Sequence, residues 1–542
     1  MKKGVGKGVS AGIAIGNAFV YKKQEVVIVR GSLNSVEEEI KAYEDAKELT
    51  RTQLQTLFEK TQNDVGQEEA MIIDVQMMFL DDLDFVEAIK AKITQDKENA
   101  AYAVQEAGDE FACVFAAMDD EYMKARAVDV RDLAHRLAMN VQGLNPDGLA
   151  ITEPSIIIAE DLTPSETLNF PKDKILAFIT QKGSSNSHTA ILSRTMGIPS
   201  LIMADIDVDL AYNGQLVIVD ANNGAYYIDP DEITLDEKRR RMLAQAEQKE
   251  LLNQLKGLEN ITLDGRKINI FANIGNAKDV DLVLKNDANG VGLFRSEFLY
   301  IGASDYPTEE EQFESYKYVA EKLEGKKLII RTLDIGADKK VDYFNLPKEE
   351  NPAMGYRAIR ICLDRVDLFK TQLRAIFRAS KFGNIGIMFP MIISVTEVKR
   401  IKEIVSEVKS ELIAQNIEFG EVELGIMIET PAAVMISNDL AKEVDFFSVG
   451  TNDLTQYTLA IDRQNEMLDD LYDSHHPAIL RMLKIIVDNA HANGIWAGIC
   501  GELASDLTLT ETFLKMGYDE LSVSPTFTLG LRKKIREIDL SK

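Results

Sequence analysis

Cysteine is scarce in this chain of 542 residues: it occurs only at positions 113, 362 and 500, far apart in the sequence. This spacing fits neither a disulfide framework nor a zinc site. No run of residues is long and apolar enough to cross a membrane, and the apolar part of the N-terminus is too short and interrupted for a signal peptide. We therefore expect a cytoplasmic protein without membrane insertion.

Positive charge is also in short supply. The chain has 61 basic and 88 acidic residues, which gives a formal net charge of −27. A surface of this sign repels nucleic acid and attracts basic proteins, so we expect no nucleic-acid partner. A high net charge also keeps proteins soluble, and taken by itself this is the simpler explanation of the acidic excess.

The texture of the sequence changes along the chain, which indicates several domains. Residues 35–144 have helical periodicity with almost no Gly or Pro, whereas short β-like runs lie on both sides. The simplest interpretation is an α/β domain, residues 1–34 and 145–230, interrupted by a helical insert. A charged helical segment, residues 231–260, is predicted to link these parts to the rest of the chain.

Eight β-like runs follow between residues 261 and 542, and helix-like stretches separate most of them. This alternation is typical of a (β/α)8 barrel. The predicted fold class is therefore multidomain α/β, with a TIM-type barrel in its C-terminal part. The runs are KINIFANI, GVGLFR, KLIIRTLD, IGIMFPM, ELGIMIET, DFFSVGTND, IWAGIC and ELSVSP.

Polar residues follow the ends of these runs, at the edge where such barrels keep their chemistry. A single Arg at such a place is usually a structural ion pair, and a single Cys a small buried apolar residue. As a set, however, arginines can bind phosphate or carboxylate, and two carboxylates suit Mg²⁺. The sequence thus predicts a pocket for a small phosphorylated carboxylate held on a metal. The residues are Arg295, Arg331, Glu429, Asn452, Asp453, Arg463 and Cys500.

One of the five histidines, His188, follows the hydroxyl-rich segment GSSNS and begins a helical stretch. Ser187 is a suitable N-cap, and Gly197 followed by Pro199 ends the predicted helix. The free N–H groups of a first helical turn favour an anion, such as a phosphoryl group on the imidazole. An ordinary helix cap that happens to include a histidine explains these residues equally well.

The motifs of the chain resemble those of Enzyme I of the bacterial phosphotransferase system, the phosphoenolpyruvate-protein phosphotransferase family. The resemblance covers almost the whole chain, in order. It includes the motifs GSSNSHTAILSRTMGIPSLI, GVGLFRSEFLY, IIRTLDIGADK, ENPAMGYRAIRICLDR, GIMIETPAA, DFFSVGTNDLTQYTLAIDR and GICGELASD. Several of the barrel motifs are shared with pyruvate phosphate dikinase and phosphoenolpyruvate synthase.

The resemblance implies that His188 takes the phosphoryl group of phosphoenolpyruvate and passes it to the phosphocarrier protein HPr, which the helical insert would dock. This is the first step of sugar uptake by the phosphotransferase system, and pyruvate is released. The resemblance also implies that Cys500 protonates the departing enolate, that Glu429 and Asp453 hold Mg²⁺, and that the chain forms a homodimer through the barrel. The implied substrate-binding residues are Arg295, Arg331, Asn452, Asp453 and Arg463.

Two other functions stay open on the sequence. One is an ATP-dependent enzyme similar to the synthase or the dikinase, although we find no G-x-x-x-x-G-K-[ST] loop and no stretch left for an ATP-binding module. The other is a non-catalytic regulator that uses the fold only to bind metabolites. In the phosphotransferase interpretation, the domains are expected to reorient about residues 230–260, since His188 must visit both the barrel and the carrier.

Overall fold

The computed structural model divides the chain into two compact units, residues 1–247 and 248–542. The boundaries predicted for the α/β domain, the helical insert, the linker and the barrel stay predictions. No helix among the described residues combines the length and the apolar character needed to cross a membrane. The structure describes residues 1–22, 28–31, 35–64, 67–117, 121–144, 151–183, 187–301, 303, 305–336, 341–463 and 465–542.

The first unit contains an eight-stranded mixed sheet. Its strands are β1 (Lys2–Val5), β2 (Lys7–Ser10), β3 (Ile13–Tyr21), β4 (Ser155–Ala159), β5 (Ile175–Thr180), β6 (Ser200–Ile202), β7 (Leu216–Asp220) and β8 (Ala225–Ile228). Their spatial order is β1-β8-β7-β3-β4-β5-β6-β2, in which β3 to β6 run parallel and the other pairs antiparallel.

The edge strands β1 and β2 were not predicted from the sequence. Their segment, KKGVGKGVS, is rich in Lys and Gly, which are depleted in strands. The segment forms strands because it pairs with β8 and β6, and the backbone hydrogen bonds of this pairing outweigh the low strand propensity. Lysines also suit exposed sheet edges, because their charge discourages pairing with other chains.

The structure describes five helices between β3 and β4, as the periodicity predicted: α1 (Val36–Asp64), α2 (Gln67–Leu80), α3 (Leu83–Thr94), α4 (Ala100–Ala116) and α5 (Glu121–Val141). Large apolar residues such as Leu54, Phe85 and Leu137 form their common core. Helices α4 and α5 approach closely at Gly108, where an added Cβ would lie 2.2 Å from the Cβ of Ala134. The first unit also contains α6 (Pro164–Asn169) and α7 (His188–Met196).

The predicted linker segment forms α8 (Glu232–Asn253), whose first half packs on the sheet. Leu235 and Met242, on one face of this helix, pack against a core that includes Ile218. Between them, Lys238 Nζ donates a hydrogen bond of 2.7 Å to Asp220 Oδ2, and both side chains are buried. Burial opposes the charge of Asp220, but the hydrogen bonds it accepts, chiefly from Lys238, outweigh burial and lower the pKa of this carboxyl.

The second unit is a closed barrel of eight parallel strands, and each of the eight predicted runs overlaps one of them. The strands follow one another in chain order, and the last pairs with the first. They are β9 (Asn269–Ile274), β10 (Gly290–Arg295), β11 (Lys327–Arg331), β12 (Asn384–Phe389), β13 (Glu423–Ile428), β14 (Phe446–Val449), β15 (Trp496–Ile499) and β16 (Glu520–Val523).

Helices surround the barrel and bury the outward-facing Ile, Leu and Val side chains of its strands in one large core. Inside the barrel, the rings of Phe446 and Trp496 stack with centroids 4.6 Å apart. The helices are α9 (Val280–Lys285), α10 (Phe298–Ile301), α11 (Glu309–Lys322), α12 (Ile359–Asp364), α13 (Val366–Ala379), α14 (Val395–Ala414), α15 (Pro431–Met435), α16 (Ser437–Leu440), α17 (Thr451–Leu459), α18 (Pro477–Ala492), α19 (Thr510–Met516) and α20 (Thr528–Arg536).

The two ends of the barrel unit are joined by the buried Arg532 of α20. Its Nε donates to Asn260 Oδ1 at 2.6 Å, and one Nη donates to the backbone oxygen of Leu255 at 2.8 Å. The other Nη donates to the backbone oxygen of Asp287 at 2.6 Å, while the Asp287 carboxylate pairs with the same guanidinium. The segment that leads into β9 is thereby fixed to the last helix of the barrel.

We expect Lys238→Met to lower the free energy of unfolding of the first unit by about 3 kcal/mol at pH 7, because it leaves the Asp220 carboxylate buried and unpaired. The effect should be visible by calorimetry as an earlier transition, while the fluorescence of Trp496, the only tryptophan, follows the barrel unit. The exposed Arg240 on the same helix is the control, and Arg240→Met should change little.

The same pair predicts a pH dependence. A carboxyl whose pKa is lowered by folding stabilises the folded state above its unfolded pKa of about 4, and this contribution is lost as the pH falls through the folded pKa. In Lys238→Met the buried, unpaired carboxyl has a raised pKa, so the stability difference from the wild type should begin to shrink above about pH 4 as the pH falls and should continue to shrink below it. A difference that stays constant with pH would contradict the role of the Asp220 charge.

Candidate active site

A cavity of about 940 Å³ opens at the carboxyl edge of the barrel. Its lining contains every site residue that the sequence predicted in the barrel. A single sequence could not establish that these residues lie together. These residues are Arg295, Arg331, Glu429, Asn452, Asp453, Arg463 and Cys500. The roles that the resemblance implies for them stay predictions, but the structure brings all seven together.

Strand pairing explains the convergence. Arg295 and Arg331 are the last residues of β10 and β11 and are partners in the strand register. Glu429 directly follows β13, and Cys500 directly follows β15. Since all strands run parallel, these four positions lie at the same edge of the barrel.

Asn452 and Asp453 do not lie at a strand end as predicted. Strand β14 ends at Val449, and both residues lie in the first turn of α17, which begins at Thr451. A first helical turn has free backbone N–H groups, which favour an anionic ligand and the Asp453 carboxylate alike. The intervening Gly450 is required, because a Cβ there would lie 2.8 Å from Oε2 of Glu429.

Arg331 is buried between two carboxylates. One Nη lies 2.5 Å from Glu297 Oε1, and the other lies 3.0 Å from Asp334 Oδ2. Burial disfavours the charged guanidinium, but Glu297 and Asp334 more than compensate and raise the pKa of Arg331 above its ordinary value. Asp334 Oδ1 also accepts a hydrogen bond of 2.9 Å from the buried Arg357.

Sequence reasoning missed Glu297, Asp334 and Arg357, which all line the cavity. The first two lie in the motifs GVGLFRSEFLY and IIRTLDIGADK, two and three residues after the strand-end arginines. An acid that close behind each arginine was a signal for ion pairing. Arg357 lies far from the strand ends in sequence, and nothing local pairs it with Asp334.

Glu429 is 1% exposed, and its Oε1 accepts a hydrogen bond of 2.6 Å from the backbone N–H of Met391. Met391 has a φ of 58°, a left-handed conformation that is strained for a residue with a side chain. Burial, and then the negative charges of Asp453 and Asp334, raise the pKa of Glu429. Burial therefore favours the neutral form of Glu429, and a nearby cation would favour the ionised form.

The two carboxylates fit a hard divalent cation. Asp453 disfavours the ionisation of Glu429, and a cation close to both would relieve this repulsion. Within the described part of the chain, no cluster of three or more His, Cys, Asp or Glu side chains could hold a metal. Mg²⁺ commonly uses one or two carboxylates and takes its other ligands from substrate oxygens and water. Glu429 and Asp453 provide such a set.

Other pocket residues are more exposed to solvent than Arg331 and Glu429. Arg463 is half-exposed, with one Nη 3.5 Å from Asp453 Oδ1, and Arg295 is exposed at the end of its strand. The side-chain oxygen of Asn452 accepts a hydrogen bond of 3.1 Å from the backbone N–H of Glu502. This bond fixes the orientation of the Asn452 amide, whose NH₂ group keeps its two donors.

Cys500 is buried at the inner end of the pocket, with its Sγ 3.5 Å from the backbone oxygen of Val449. Burial raises the pKa of the thiol to about 12. The thiol is therefore protonated at neutral pH, as a proton donor must be. Of the other two cysteines, Cys362 is buried in the barrel core and Cys113 is exposed on α4.

His188 belongs to the first unit and is the one predicted site residue outside the barrel pocket. It is the first residue of α7, and Ser187 is the N-cap, whose side chain accepts a hydrogen bond from Ala190 N–H at 3.4 Å. Gly197 ends the helix with a φ of 66°. These predicted caps are confirmed, whereas residues 184–186 of the preceding loop lie outside the described residues.

Buried hydroxyl groups hold α7 on the sheet. Ser193 Oγ donates a hydrogen bond of 2.6 Å to the backbone oxygen of Thr189, and Ser200 Oγ donates one of 2.7 Å to Ser193 Oγ. Ser10, on the unpredicted strand β2, donates to the backbone oxygen of Ser193. Contacts from two strands, β2 and β6, thus fix the helix at Ser193, five residues after His188.

Three family models match the chain: "PEP-utilising enzyme, N-terminal" over residues 5–126, "PEP-utilising enzyme, mobile domain" over 151–224, and "PEP-utilising enzyme, PEP-binding domain" over 249–540. A phosphoenolpyruvate-protein phosphotransferase of Priestia megaterium is 43% identical over 98% of this chain and 93% of its own length. Proteins of the same name from Bacillus subtilis and Haemophilus influenzae are each 41% identical over 98% of this chain, and the matches cover 94% and 93% of their lengths. The chain therefore belongs to the phosphoenolpyruvate-protein phosphotransferase family.

Proposed function

We propose that this chain transfers the phosphoryl group of phosphoenolpyruvate to its own His188, releases pyruvate, and passes the phosphoryl group on to the phosphocarrier protein HPr. This is the first step of sugar uptake by the phosphotransferase system. The observation that carries the proposal is the barrel pocket, whose lining brings together the predicted substrate-binding arginines, the carboxylates of Glu429 and Asp453 and the thiol of Cys500. These are the groups that binding and cleavage of phosphoenolpyruvate require.

The pocket matches the charge of the substrate. Phosphoenolpyruvate carries a phosphate and a carboxylate, and Arg295, Arg331 and Arg463 offer guanidinium groups that bind such planar anions through two hydrogen bonds. The NH₂ group of Asn452 and the backbone N–H of Asp453 add neutral donors. Because Arg331 is already fixed by its ion pairs, little side-chain entropy is lost when the substrate binds.

Phosphoryl transfer then depends mainly on position and charge. Mg²⁺ held by Glu429 and Asp453 would supply positive charge to the phosphoryl oxygens. A neutral imidazole nitrogen of His188 attacks phosphorus in line as the bond from phosphorus to the enol oxygen breaks, and the electron pair stays on the enolate. The arginines stabilise the negative charge that spreads over the phosphoryl and enolate oxygens.

Cys500 completes the reaction on the carbon side. Its protonated thiol donates a proton to the methylene carbon of the enolate, which becomes the methyl group of pyruvate while the enolate oxygen becomes a ketone. The thiolate then regains a proton from solvent. Because the ketone is far more stable than the enol, this proton transfer makes the overall phosphoryl transfer to His188 favourable.

The helix that begins at His188 suits a phosphorylated imidazole. Helix α7 has nine residues and free N–H groups in its first turn, at the positive end of the helix dipole. A phosphoryl group there would be stabilised without a dedicated cation. This leaves it available for transfer to a second protein.

The helical segment between β3 and β4 offers a docking surface for the carrier. We define it as the α2–α3 corner, residues 78–84, where Met78 is 66% and Leu83 is 76% exposed. Three acids, Asp81, Asp82 and Asp84, flank these apolar side chains. A small carrier with a basic and apolar face would complement the corner, which agrees with the acidic excess of the chain.

The alternatives from the sequence fit less well. An ATP-dependent synthase or dikinase would not be expected to match the phosphotransferase relatives over 98% of this chain. A regulator that only binds metabolites would not need a buried, protonated thiol beside two metal-binding carboxylates. The homodimer through the barrel and the reorientation of the domains about residues 230–260 remain part of the proposal.

Radiolabelled phosphoenolpyruvate with Mg²⁺ tests the proposal directly. The wild type should acquire an acid-labile label that passes to added HPr, and His188→Ala should acquire none. His491→Ala removes a histidine on the outer helix α18 and should be labelled as the wild type. Label that comes from ATP instead of phosphoenolpyruvate, or that appears on His188→Ala, would contradict the proposal.

Cys500→Ala should lower the rate of pyruvate formation about 100-fold or more, because it removes the proton donor while leaving the anion-binding groups in place. The rate can be followed by reduction of the released pyruvate in a coupled assay. Cys362→Ala, which removes an equally buried thiol outside the pocket, is the matched control and should stay within a few-fold of the wild type. Equal losses in both variants would rule out a proton-donor role.

Leu83→Ser should slow transfer from the phosphorylated chain to HPr by about tenfold, since an apolar anchor at the centre of an interface is worth roughly 1–2 kcal/mol. Labelling by phosphoenolpyruvate should be unchanged, because the barrel pocket is intact. Ile233→Ser, at an equally exposed apolar residue on α8, is the control. Unaltered transfer to HPr by Leu83→Ser would exclude the α2–α3 corner as the docking surface.

A further inference from the structure

Two guanidinium groups of the pocket are bridged by one carboxylate. Arg331 and Arg357 are both buried and line the same cavity. Asp334 lies between them, with Oδ2 at 3.0 Å from Nη1 of Arg331 and Oδ1 at 2.9 Å from Nη2 of Arg357. Each carboxylate oxygen thus serves one arginine.

We infer that Asp334 is a positioning residue, which holds Arg331 and Arg357 side by side as a preformed clamp for the anionic substrate. The inference rests on the proposed function, in which Arg331 binds phosphoenolpyruvate. Asp334 itself is not a catalytic residue, since it acts through the two arginines.

Electrostatics explains why such a residue is needed. Two like charges in a buried, low-dielectric wall repel strongly, and each would move toward solvent without an anion between them. Glu297 also neutralises Arg331, with which it forms an ion pair of 2.5 Å, but this ion pair does not join Arg331 to Arg357. Asp334 is the carboxylate whose two oxygens are divided between the arginines.

The backbone reinforces the bridge. Ala358, next to Arg357, donates a backbone hydrogen bond of 2.9 Å to the oxygen of Ile335, next to Asp334. Ala358 has a φ of 53°, outside the conformations that alanine favours. Strain of this kind persists where surrounding contacts enforce it, and it is common at ligand sites. The segments around Asp334 and Arg357 are therefore joined by a side-chain ion pair and by a backbone hydrogen bond.

The clamp retains binding capacity for a ligand. Within the described residues, the Nε of Arg331 is buried and has no hydrogen-bond partner. An unsatisfied buried donor is unfavourable, and an oxygen of a bound anion would supply the missing acceptor. Asp334 holds Arg331 by an Nη and so leaves this donor open.

The test is calorimetric binding of phosphoenolpyruvate, with Mg²⁺, to full-length His188→Ala, in which transfer is blocked. Adding Asp334→Asn should weaken binding about tenfold to a hundredfold, because the arginines lose their alignment. Asp334→Glu keeps the charge and should bind more tightly than Asp334→Asn. Asp287→Asn, which disrupts the ion pair with Arg532, is the matched control and should bind as the reference does.

A second readout separates positioning from a general structural role. In chains with His188 intact, Asp334→Asn should raise the KM for phosphoenolpyruvate, while transfer from the once-phosphorylated chain to HPr keeps its wild-type rate. If Asp334→Asn lowers the melting temperature but binds phosphoenolpyruvate as tightly as the reference, the inference is wrong. Should Asp334→Asn fail to fold, Asp334→Glu decides: weaker binding at an unchanged melting temperature supports the inference, and unchanged binding overturns it.

The design also separates this inference from the proposed function. If the His188→Ala reference does not bind phosphoenolpyruvate, the proposed function fails, and the inference fails with it. If the reference binds and the Asp334 variants bind equally well, the proposed function stands and only the role of Asp334 is overturned.

Discussion

Hydrogen bonding between the parallel strands fixes the register of the barrel, and with it the position of each residue at the carboxyl edge. Arg295 and Arg331 are neighbours because β10 and β11 pair in that register. Glu429 and Cys500 reach the same edge from strands that lie far apart in sequence. A shift of one residue in any strand would turn its terminal side chain out of the pocket. The chemistry of the site thus depends on backbone pairing before it depends on any side-chain contact.

Burial also determines which side chains of the pocket carry a charge. Burial raises the pKa of Cys500 and Glu429 alike, but the consequences differ. For the thiol, burial favours the neutral form, which is the form that can donate a proton. For the carboxylate, burial also favours the neutral form, and a cation bound beside it would favour the ionised form. Arg331 shows the opposite case, in which burial is outweighed by two paired carboxylates and the charge is kept.

Much of this architecture could be predicted from the sequence, because apolar runs of strand length and their polar ends are local signals. The eight barrel strands and the seven pocket residues were found in this way. Strands β1 and β2 were missed, because their Lys and Gly residues do not favour a strand locally. They become strands by pairing with β8 and β6. Asn452 and Asp453 were assigned to the end of a strand that in fact ends at Val449. The bridge from Asp334 to Arg357 was missed because pairing across loops depends on the tertiary structure.

The contact of Arg532 with the segment before β9 has a consequence for how such a barrel can be reused. Because Arg532 joins the last helix to the segment just ahead of β9, both ends of the unit meet on the amino side of the strands and are held together by contacts within the unit. The pocket lies at the opposite edge and does not share residues with this junction. Different modules can therefore be joined ahead of residue 255 while the substrate site stays intact.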